Sequence, residues 1–594
     1  MQLYPKPQSI TIDASQLFTY TSLRAEANFS TNELLQNKID TFNDPLHTQA
    51  STVSLFIDTK QSKPQGYHLS ITPTNVSLAS PSEQGLHYGL LTLAQLVKQT
   101  PTGQLPCLEI NDCPDLPNRG FMLDISRCKV PSLDSIFELI SQLAALRYTQ
   151  LQLYTEHTFA YRKHQEVWQD ASPYTAEEIQ KIDDACAAQF IELVPNQNTF
   201  GHFERWLKHE NYLHLAECPD GFIHPISGKR PFGSTLKPND ASLEFLEKLF
   251  DEFLPNFRST QFNIGGDEPW ELGQGWSKPQ VEQTSKQRVY LEFLKQVQSL
   301  VAARGKTSLF WGDIILEDPS LINELPDGTT ALLWGYEAGH PFEEQCRKFR
   351  DAKIPYYVAP GTSTWNSIGG RWDNSIRNVN EALEQGIHNN AIGFLLTDWG
   401  DLGHHQAQLF SYPAIAQAAL LGWNFKAEHN QDHSLIVNEV LLQTNNPAFL
   451  EIIQRLGTVN NPLKVDLENA TPLNRNLFLP PEEAYEFLAP FSLKALESVS
   501  KELSSIQDNL AAISPIISHE ALLKNELALA TNLLLFSCHK GIALKSTTPW
   551  PTPDSQIELD NLCREFETTW LKRNRSGGLA ESLSNLKKPN RTPG

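Results

Sequence analysis

The sequence is short of positive charge. Forty-eight lysines and arginines face 69 aspartates and glutamates across 594 residues, a formal charge of −21 at neutral pH. So acidic a surface argues against a phosphate backbone or an anionic membrane as the main partner, which sets nucleic-acid binding aside. Long apolar runs are missing too: stretches such as Ala414 to Leu421 fall far short of the ~20 residues a membrane span needs. The eight cysteines, at 107, 113, 128, 186, 218, 346, 538 and 563, form no Cys-x-x-Cys pair. Such spacing fits neither a zinc site nor a disulfide framework, so the thiols are expected to pack as small hydrophobes in a reducing compartment. The start of the chain, Met1 to Ile10, has neither the basic and apolar regions nor the small-residue cleavage site of an export signal, and the expected address is cytoplasmic.

Tryptophan is also unevenly spread. None of the twelve falls in residues 1 to 118, ten lie between Trp168 and Trp423, and only Trp550 and Trp570 follow. Residues 1–115 read as a small α+β domain. Tyr67, Leu69 and Ile71 alternate with polar neighbours, as do Val76 and Leu78, and a helix is expected to open with Ser80 as its cap and Pro81 at its first position.

From Arg119 strands and helices alternate. Eight apolar segments read as strands: 121–125, 151–154, 191–194, 262–264, 308–311, 331–334, 355–358 and 392–396. Leu133, Ile136, Phe137 and Ile140 share one helical face; Ile179, Ile182 and Cys186 share another behind a Thr175/Glu178 capping box. Eight β/α units in about 300 residues point to a (β/α)8 barrel over 116–425. A doubly wound open sheet is the alternative, but no Gly-x-Gly-x-x-Gly turn follows the first strand. Residues 426–594 read as a helical domain, with a long apolar-rich helix from Ala521 to Leu544. The fold class is thus α/β, a TIM barrel between a small α+β domain and a helical one.

In such a barrel the chemistry gathers where strands end at their carboxyl side. The residues there are Asp124 and Arg127, Glu156 and His157, Asn198 and His202, Gly265-Gly266-Asp267-Glu268, Trp311-Gly312-Asp313, Trp334 and Tyr336, Trp365, and Asp398-Trp399-Gly400-Asp401. Aromatic walls with a few carboxylates suit a sugar ring, whose C–H faces stack and whose hydroxyls need acceptors. Asp267 and Glu268 are adjacent. Two carboxylates in a partly dry site cannot both ionise cheaply, so one is expected to stay protonated near neutral pH, as a general acid must.

The segments Arg119-Gly-Phe-Met-Leu-Asp-Ile-Ser-Arg127, Gly201-His202, Ile264-Gly-Gly-Asp-Glu268 and Trp399-Gly-Asp401 resemble those of the family 20 glycoside hydrolases, the β-N-acetylhexosaminidases. The resemblance covers roughly residues 1–425. It implies exo-acting, substrate-assisted retaining hydrolysis of terminal GlcNAc or GalNAc from a small-molecule or oligosaccharide substrate, with no metal or other cofactor. Asp267 would orient the 2-acetamido group and Glu268 would serve as acid and base. Arg119 would hold the ring hydroxyls, and Trp311, Trp334 and Trp399 would wall the pocket. Asp401 would accept from O4 or O6, and His202 would support the acidic pair. The family's paired Asp-Asp is here Thr155-Glu156, Asn198 stands where the family has Asp, and its acetamido-binding tyrosine has no counterpart after strand seven. Tyr336 and Trp365 are the candidates for that side. These departures resemble a divergent branch similar to the hexosaminidase D type.

Three other readings compete. A two-carboxylate glycosidase would draw its nucleophile or base from Glu156 or Asp398. A metal-dependent barrel would want a His-x-His on strand one, where Leu123-Asp124-Ile125 stands. A non-catalytic carbohydrate-binding barrel would have no use for a protonated acid. Whether the helical part closes the pocket, builds a homodimer or only covers the barrel is open in the sequence.

Overall fold

The computed structural model describes residues 2–43, 51–58, 63–224, 228–429 and 431–591. The N-terminal unit is a six-stranded mixed sheet, ordered Ser9–Thr19, Gln104–Asp112, Tyr67–Ile71, Val76–Ser80, Ser51–Ile57, Leu23–Ala27, with the helices Glu33–Phe42 and Glu83–Gln99. The second helix is capped by Ser82 rather than Ser80. Ser80 is still the last residue of its strand and gives its hydroxyl to the Gly66 carbonyl (2.7 Å), while Ser82 Oγ accepts the Gly85 N–H.

Eight parallel strands form the barrel: β1 (Asn118–Asp124), β2 (Gln150–Tyr154), β3 (Glu192–Val194), β4 (Gln261–Asn263), β5 (Thr307–Trp311), β6 (Thr329–Trp334), β7 (Tyr356–Ala359) and β8 (Gly393–Asp398). All eight lie where the sequence pattern put them, each shifted at its ends by a few residues. β8 pairs back onto β1, and the ring closes between β3 and β4 through the Asn196/Asn263 bridge and the Gln197 N–H to Asn263 carbonyl bond (3.0 Å). Inward side chains, including Met122, Tyr154, Leu309, Trp311, Leu332 and Leu395, make an apolar plug separate from the core between strands and helices. The step from β5 to β6 is carried by a five-residue helix, Asp313–Glu317, and a six-residue 3-10 helix after it, Pro319–Glu324.

The floor of the barrel is joined to the N-terminal sheet by two buried arginines. Arg119 opens β1, at the end opposite the one where the strands deliver their chemistry. Its guanidinium donates to the carbonyls of Arg147 (2.9 Å) and Leu116 (2.8 Å) and lies 5.2 Å from the Trp423 ring centre. Arg147 reaches Thr92 Oγ1 (2.7 Å) and Asp112 (3.5 Å). The sequence expectation that Arg119 holds a sugar is therefore corrected: the motif has an arginine at each end of β1, and only Arg127 leaves the strand on the functional side.

Beyond the helix Tyr412–Glu428, which ends the barrel, lie α1 (Leu493–Ala512), α2 (Ser518–Lys545), α3 (Pro553–Arg573) and α4 (Leu579–Lys587). Among the described residues α2 is the one helix long and apolar enough to cross a membrane, yet 67% of its apolar window is buried inside the protein. It is the core of the helical unit, packed by α1, α3 and the short helix Pro472–Phe478. The chain around α4 grips the barrel's functional rim. Arg575 N–H donates to the Val130 carbonyl, Ser582 Oγ donates to the Gly403 carbonyl (2.6 Å), and Glu581 takes Arg205 in a two-pronged pair (2.8 and 2.7 Å). The loops after β1, β3 and β8 are thereby tied to one element.

Replacing Arg119 by Met strips donors from buried carbonyls. It is expected to cost about 3 kcal/mol of stability, read as a lowered Tm, with KM of the folded fraction unchanged. A raised KM at an unchanged Tm would contradict this placement.

Candidate active site

The acidic pair stands just past β4. Gly265 and Gly266 both have positive φ, and a Cβ on Gly265 would meet Asn198 Oδ1 at 1.7 Å. Only glycine fits there, and the sharp turn brings Asp267 and Glu268 over the barrel mouth. Glu268 itself has φ +48°, a strained setting that recurs at His202 (+59°) and Asp401 (+46°) on the same rim.

Asp267 is 7% exposed. Its Oδ2 accepts from His202 Nε2 at 3.2 Å, whereas its Oδ1 is buried and, among the described residues, has no hydrogen-bond partner. His202 Nε2 also lies 3.8 Å from Glu268. Burial opposes charge on the His202 ring, but Asp267 overrides it and carries the pKa up to about 10, so the ring is a cation at neutral pH. Glu268 is raised above the ordinary carboxylate range, chiefly by burial and further by Asp267, with His202 pulling the other way.

Arg127, not Arg119, is the arginine that faces the acidic rim. It pairs with Asp124 (3.1 Å) and Glu156 (3.2 Å), sits 3.4 Å from the second nitrogen of His202, and lies 4.5 and 5.0 Å from the Tyr154 and Trp399 ring centres. Glu156 also accepts from Tyr154 Oη (2.9 Å), which in turn accepts from Asn198 Nδ2 (2.7 Å). Burial pushes Glu156 up to about 7 against the pull of Arg127.

The aromatic wall is layered. Trp334 and Tyr336 stack at 5.2 Å, Tyr336 meets Trp365 edge-on at 5.1 Å, and Trp399 Nε1 donates to Tyr336 Oη at 2.8 Å. Trp365 is 2% exposed and backs Tyr336; Trp311, 1% exposed, lies beneath Trp399. Trp311, expected in the wall, and Trp365, a candidate for the acetamido side, both lie behind it. Asp401 accepts from Asn366 Nδ2 (3.1 Å) and feels the charge of Arg127.

Asp313, at the end of β5, was passed over as a site residue. Its Oδ2 accepts the Glu268 N–H (3.4 Å), it is bonded by Trp334, and burial followed by repulsion from Asp267 and Glu268 lifts it to about 8. Its signal was present, since Trp311-Gly312-Asp313 repeats the pattern Trp399-Gly400-Asp401.

Two family models match the chain: "Glycosyl hydrolase family 20, domain 2" over residues 1–113 and "Glycosyl hydrolase family 20, catalytic domain" over residues 117–359. The chain belongs to glycosyl hydrolase family 20. It is 28% identical to a beta-hexosaminidase of Akkermansia muciniphila over 41% of this chain and 55% of that one. It is also 28% identical to hexosaminidase D of Homo sapiens, over 48% and 60%. The chain thus spans a little over half the length of these curated relatives. Among solved structures, the chitobiase of Flavobacterium johnsoniae covers 98% of each chain with a TM-score of 0.59 at 18% identity, so its likeness in fold takes in the helical unit as well. An exo β-N-acetylglucosaminidase of Vibrio harveyi, in complex with N-acetylglucosamine, aligns over 76% of this chain and 77% of its own, with a TM-score of 0.59 at 17% identity.

Within this family-20 barrel the two carboxylates considered as alternative nucleophiles are occupied. Asp398 accepts from Thr362 (2.7 Å), Thr364 (2.9 Å), Ser411 (2.9 Å) and Gln408 (3.0 Å), and Glu156 is held by Arg127 and Tyr154. Glu156, His202 and Glu204 bring potential metal ligands within 4.8 Å of one another. Arg127 stands against two of them, and its charge, with that of the His202 cation, disfavours a metal ion there.

Removing the His202 cation takes away a charge that lowers the pKa of Glu268. In His202→Gln that pKa is expected to rise, moving the basic limb of the kcat/KM profile to higher pH while kcat falls. A limb that stayed in place, or moved down, would contradict the arrangement.

Proposed function

We propose that the protein is an exo-acting β-N-acetylhexosaminidase that releases terminal GlcNAc or GalNAc with retention, using the substrate's own acetamido group. The observation that carries this reading is the lone oxygen of Asp267. A buried carboxylate oxygen without a donor is costly, and here it belongs to the residue next to an acid whose pKa burial raises. An acetamido N–H supplies the missing donor. Its carbonyl oxygen is then turned onto the anomeric carbon, and the positive charge that develops on the resulting oxazolinium falls beside Asp267, whose orientation is already fixed by His202.

Glu268 protonates the glycosidic oxygen as the bond breaks, then takes a proton from the water that opens the oxazolinium. Burial raises its pKa above the ordinary carboxylate range, the direction a general acid needs. Tyr336 takes the part of the acetamido-binding tyrosine: its oxygen accepts from Trp399, which orients the hydroxyl that would meet the acetamido carbonyl. Trp399 and Trp334 supply the apolar faces, and Arg127 with Asp401 meets the ring hydroxyls. The family is an exception to the two-carboxylate scheme, and the occupied state of Asp398 and Glu156 supports that here.

Aryl β-glycosides that differ only at C2 test the reading. The acetamido sugars are expected to be cleaved and the 2-hydroxy sugars not. Glu268→Gln should lower kcat on a natural glycoside 10²–10⁴-fold, and Asp267→Asn should lower it 10²–10³-fold. Equal cleavage of 2-hydroxy sugars would overturn the mechanism.

A further inference from the structure

The chain does not return to the barrel wall directly after the acid. Trp270 N–H donates to the Glu268 carbonyl (2.7 Å), so the backbone reverses at once and holds the indole within two residues of the proton donor. The Trp270 ring is only partly buried, and its centre lies 5.2 Å from that of His224, tilted at 59°. His224 ends the first strand of a two-stranded ribbon, Phe222–His224 paired with Gly228–Arg230, which rises from the segment between β3 and β4.

This partly buried indole is held rigidly. Glu271, the next residue, accepts the Thr235 N–H (2.6 Å) and the Ser234 hydroxyl (3.0 Å). At the far end of the same excursion Glu217 accepts from Ser277 N–H (2.9 Å), Ser277 Oγ (2.6 Å) and Gly275 N–H (3.2 Å). A Cβ on Gly275 would meet the Glu217 carbonyl at 2.1 Å, so the two segments are locked together. Two buried carboxylates thus pin a loop that carries a large aromatic ring left partly in water.

The position explains the ring. A general acid stands beside the glycosidic oxygen, between the sugar that is cleaved and the one that leaves. The cleaved sugar's walls come from β6 and β8, as Trp334, Tyr336 and Trp399, whereas Trp270 and His224 come from the β3–β4 side. His224 lies close enough to the site that the His202 charge, after burial and Arg230, lowers its pKa, so it is neutral at pH 7 and able to serve as an apolar backing.

We propose that Trp270, backed by His224, is the platform for the first ring of the leaving group, and that the substrates are oligosaccharides whose penultimate sugar is a pyranose with an apolar C–H face. This rests on the reading of Glu268 as the acid. The indole gives affinity for a ring and none for a small alkyl leaving group, so the platform discriminates among aglycones without touching the N-acetylhexosamine.

The test compares two substrates of the preferred N-acetylhexosamine: its β-linked disaccharide and its 2,2,2-trifluoroethyl β-glycoside. In Trp270→Ala the ratio of kcat/KM for the disaccharide to that for the trifluoroethyl glycoside is expected to fall about tenfold, mainly through KM, and Trp270→Phe should restore most of it. An unchanged ratio, whether both values fall together or neither falls, would overturn the platform and leave Trp270 a support for Glu268. If the wild-type enzyme cleaves neither substrate, the reading of Glu268 fails and the platform with it.

Discussion

The site is organised by a shortage of positive charge. Glu156, Asp267, Glu268, Asp313 and Asp401 converge on a rim where Arg127 and His202 are the cations that face them. Arg127 is committed to Asp124 and Glu156 at 3.1 and 3.2 Å, and His202 to Asp267 at 3.2 Å. Nothing comparable is left for Glu268 and Asp313, and burial therefore drives both toward their protonated forms. The adjacent pair is divided by geometry: Asp267 holds the histidine at 3.2 Å, while Glu268, 3.8 Å from it, is raised above the ordinary carboxylate range by burial. Two chemically similar side chains next to each other in the chain acquire different surroundings because a single imidazole can face only one of them closely.

That arrangement depends on backbone that does not yield. The barrel's apolar plug fixes the strand ends, and the left-handed settings at Gly265, Gly266 and Glu268 aim the pair. From outside, the segment around α4 holds the loops that carry Arg127, His202 and Asp401. The Arg205–Glu581 pair is partly exposed and adds little to global stability; its place on the turn after His202 gives it a geometric part instead. The helical unit is a bracket for the rim, a role apart from the three the sequence left open.

Much of this was legible beforehand because barrel strands are short apolar runs whose carboxyl ends point at the chemistry. Reading the residues after each run singled out Asp267, Glu268, His202, Glu156, Trp334, Tyr336, Trp399 and Asp401, which the structure brings to one end of the barrel. The failures have physical causes. Arg119 and Arg127 bracket the same strand, and the rule about strand ends favoured Arg127, but motif resemblance drew attention to the first arginine of the segment. Trp311 and Trp365 sit at the same kind of position as Trp334, and only packing decides which indoles face the pocket and which support it. The choice between Tyr336 and Trp365 needed the Trp399 hydrogen bond, a contact between residues 63 positions apart. Ser80 lost the helix cap to Ser82 because pairing within its strand extended one residue beyond the alternating pattern.

The account stands on the unpartnered oxygen of Asp267 as the acceptor for an acetamido N–H that becomes acidic as charge develops. Calorimetric titration with a thiazoline analogue of the oxazolinium measures this directly, beside titration with free N-acetylhexosamine. Wild type is expected to bind the thiazoline at least 10²-fold more tightly than the free sugar, and Asp267→Asn to lose most of that advantage while binding the free sugar nearly as before. Equal thiazoline affinity in the two proteins would contradict the account.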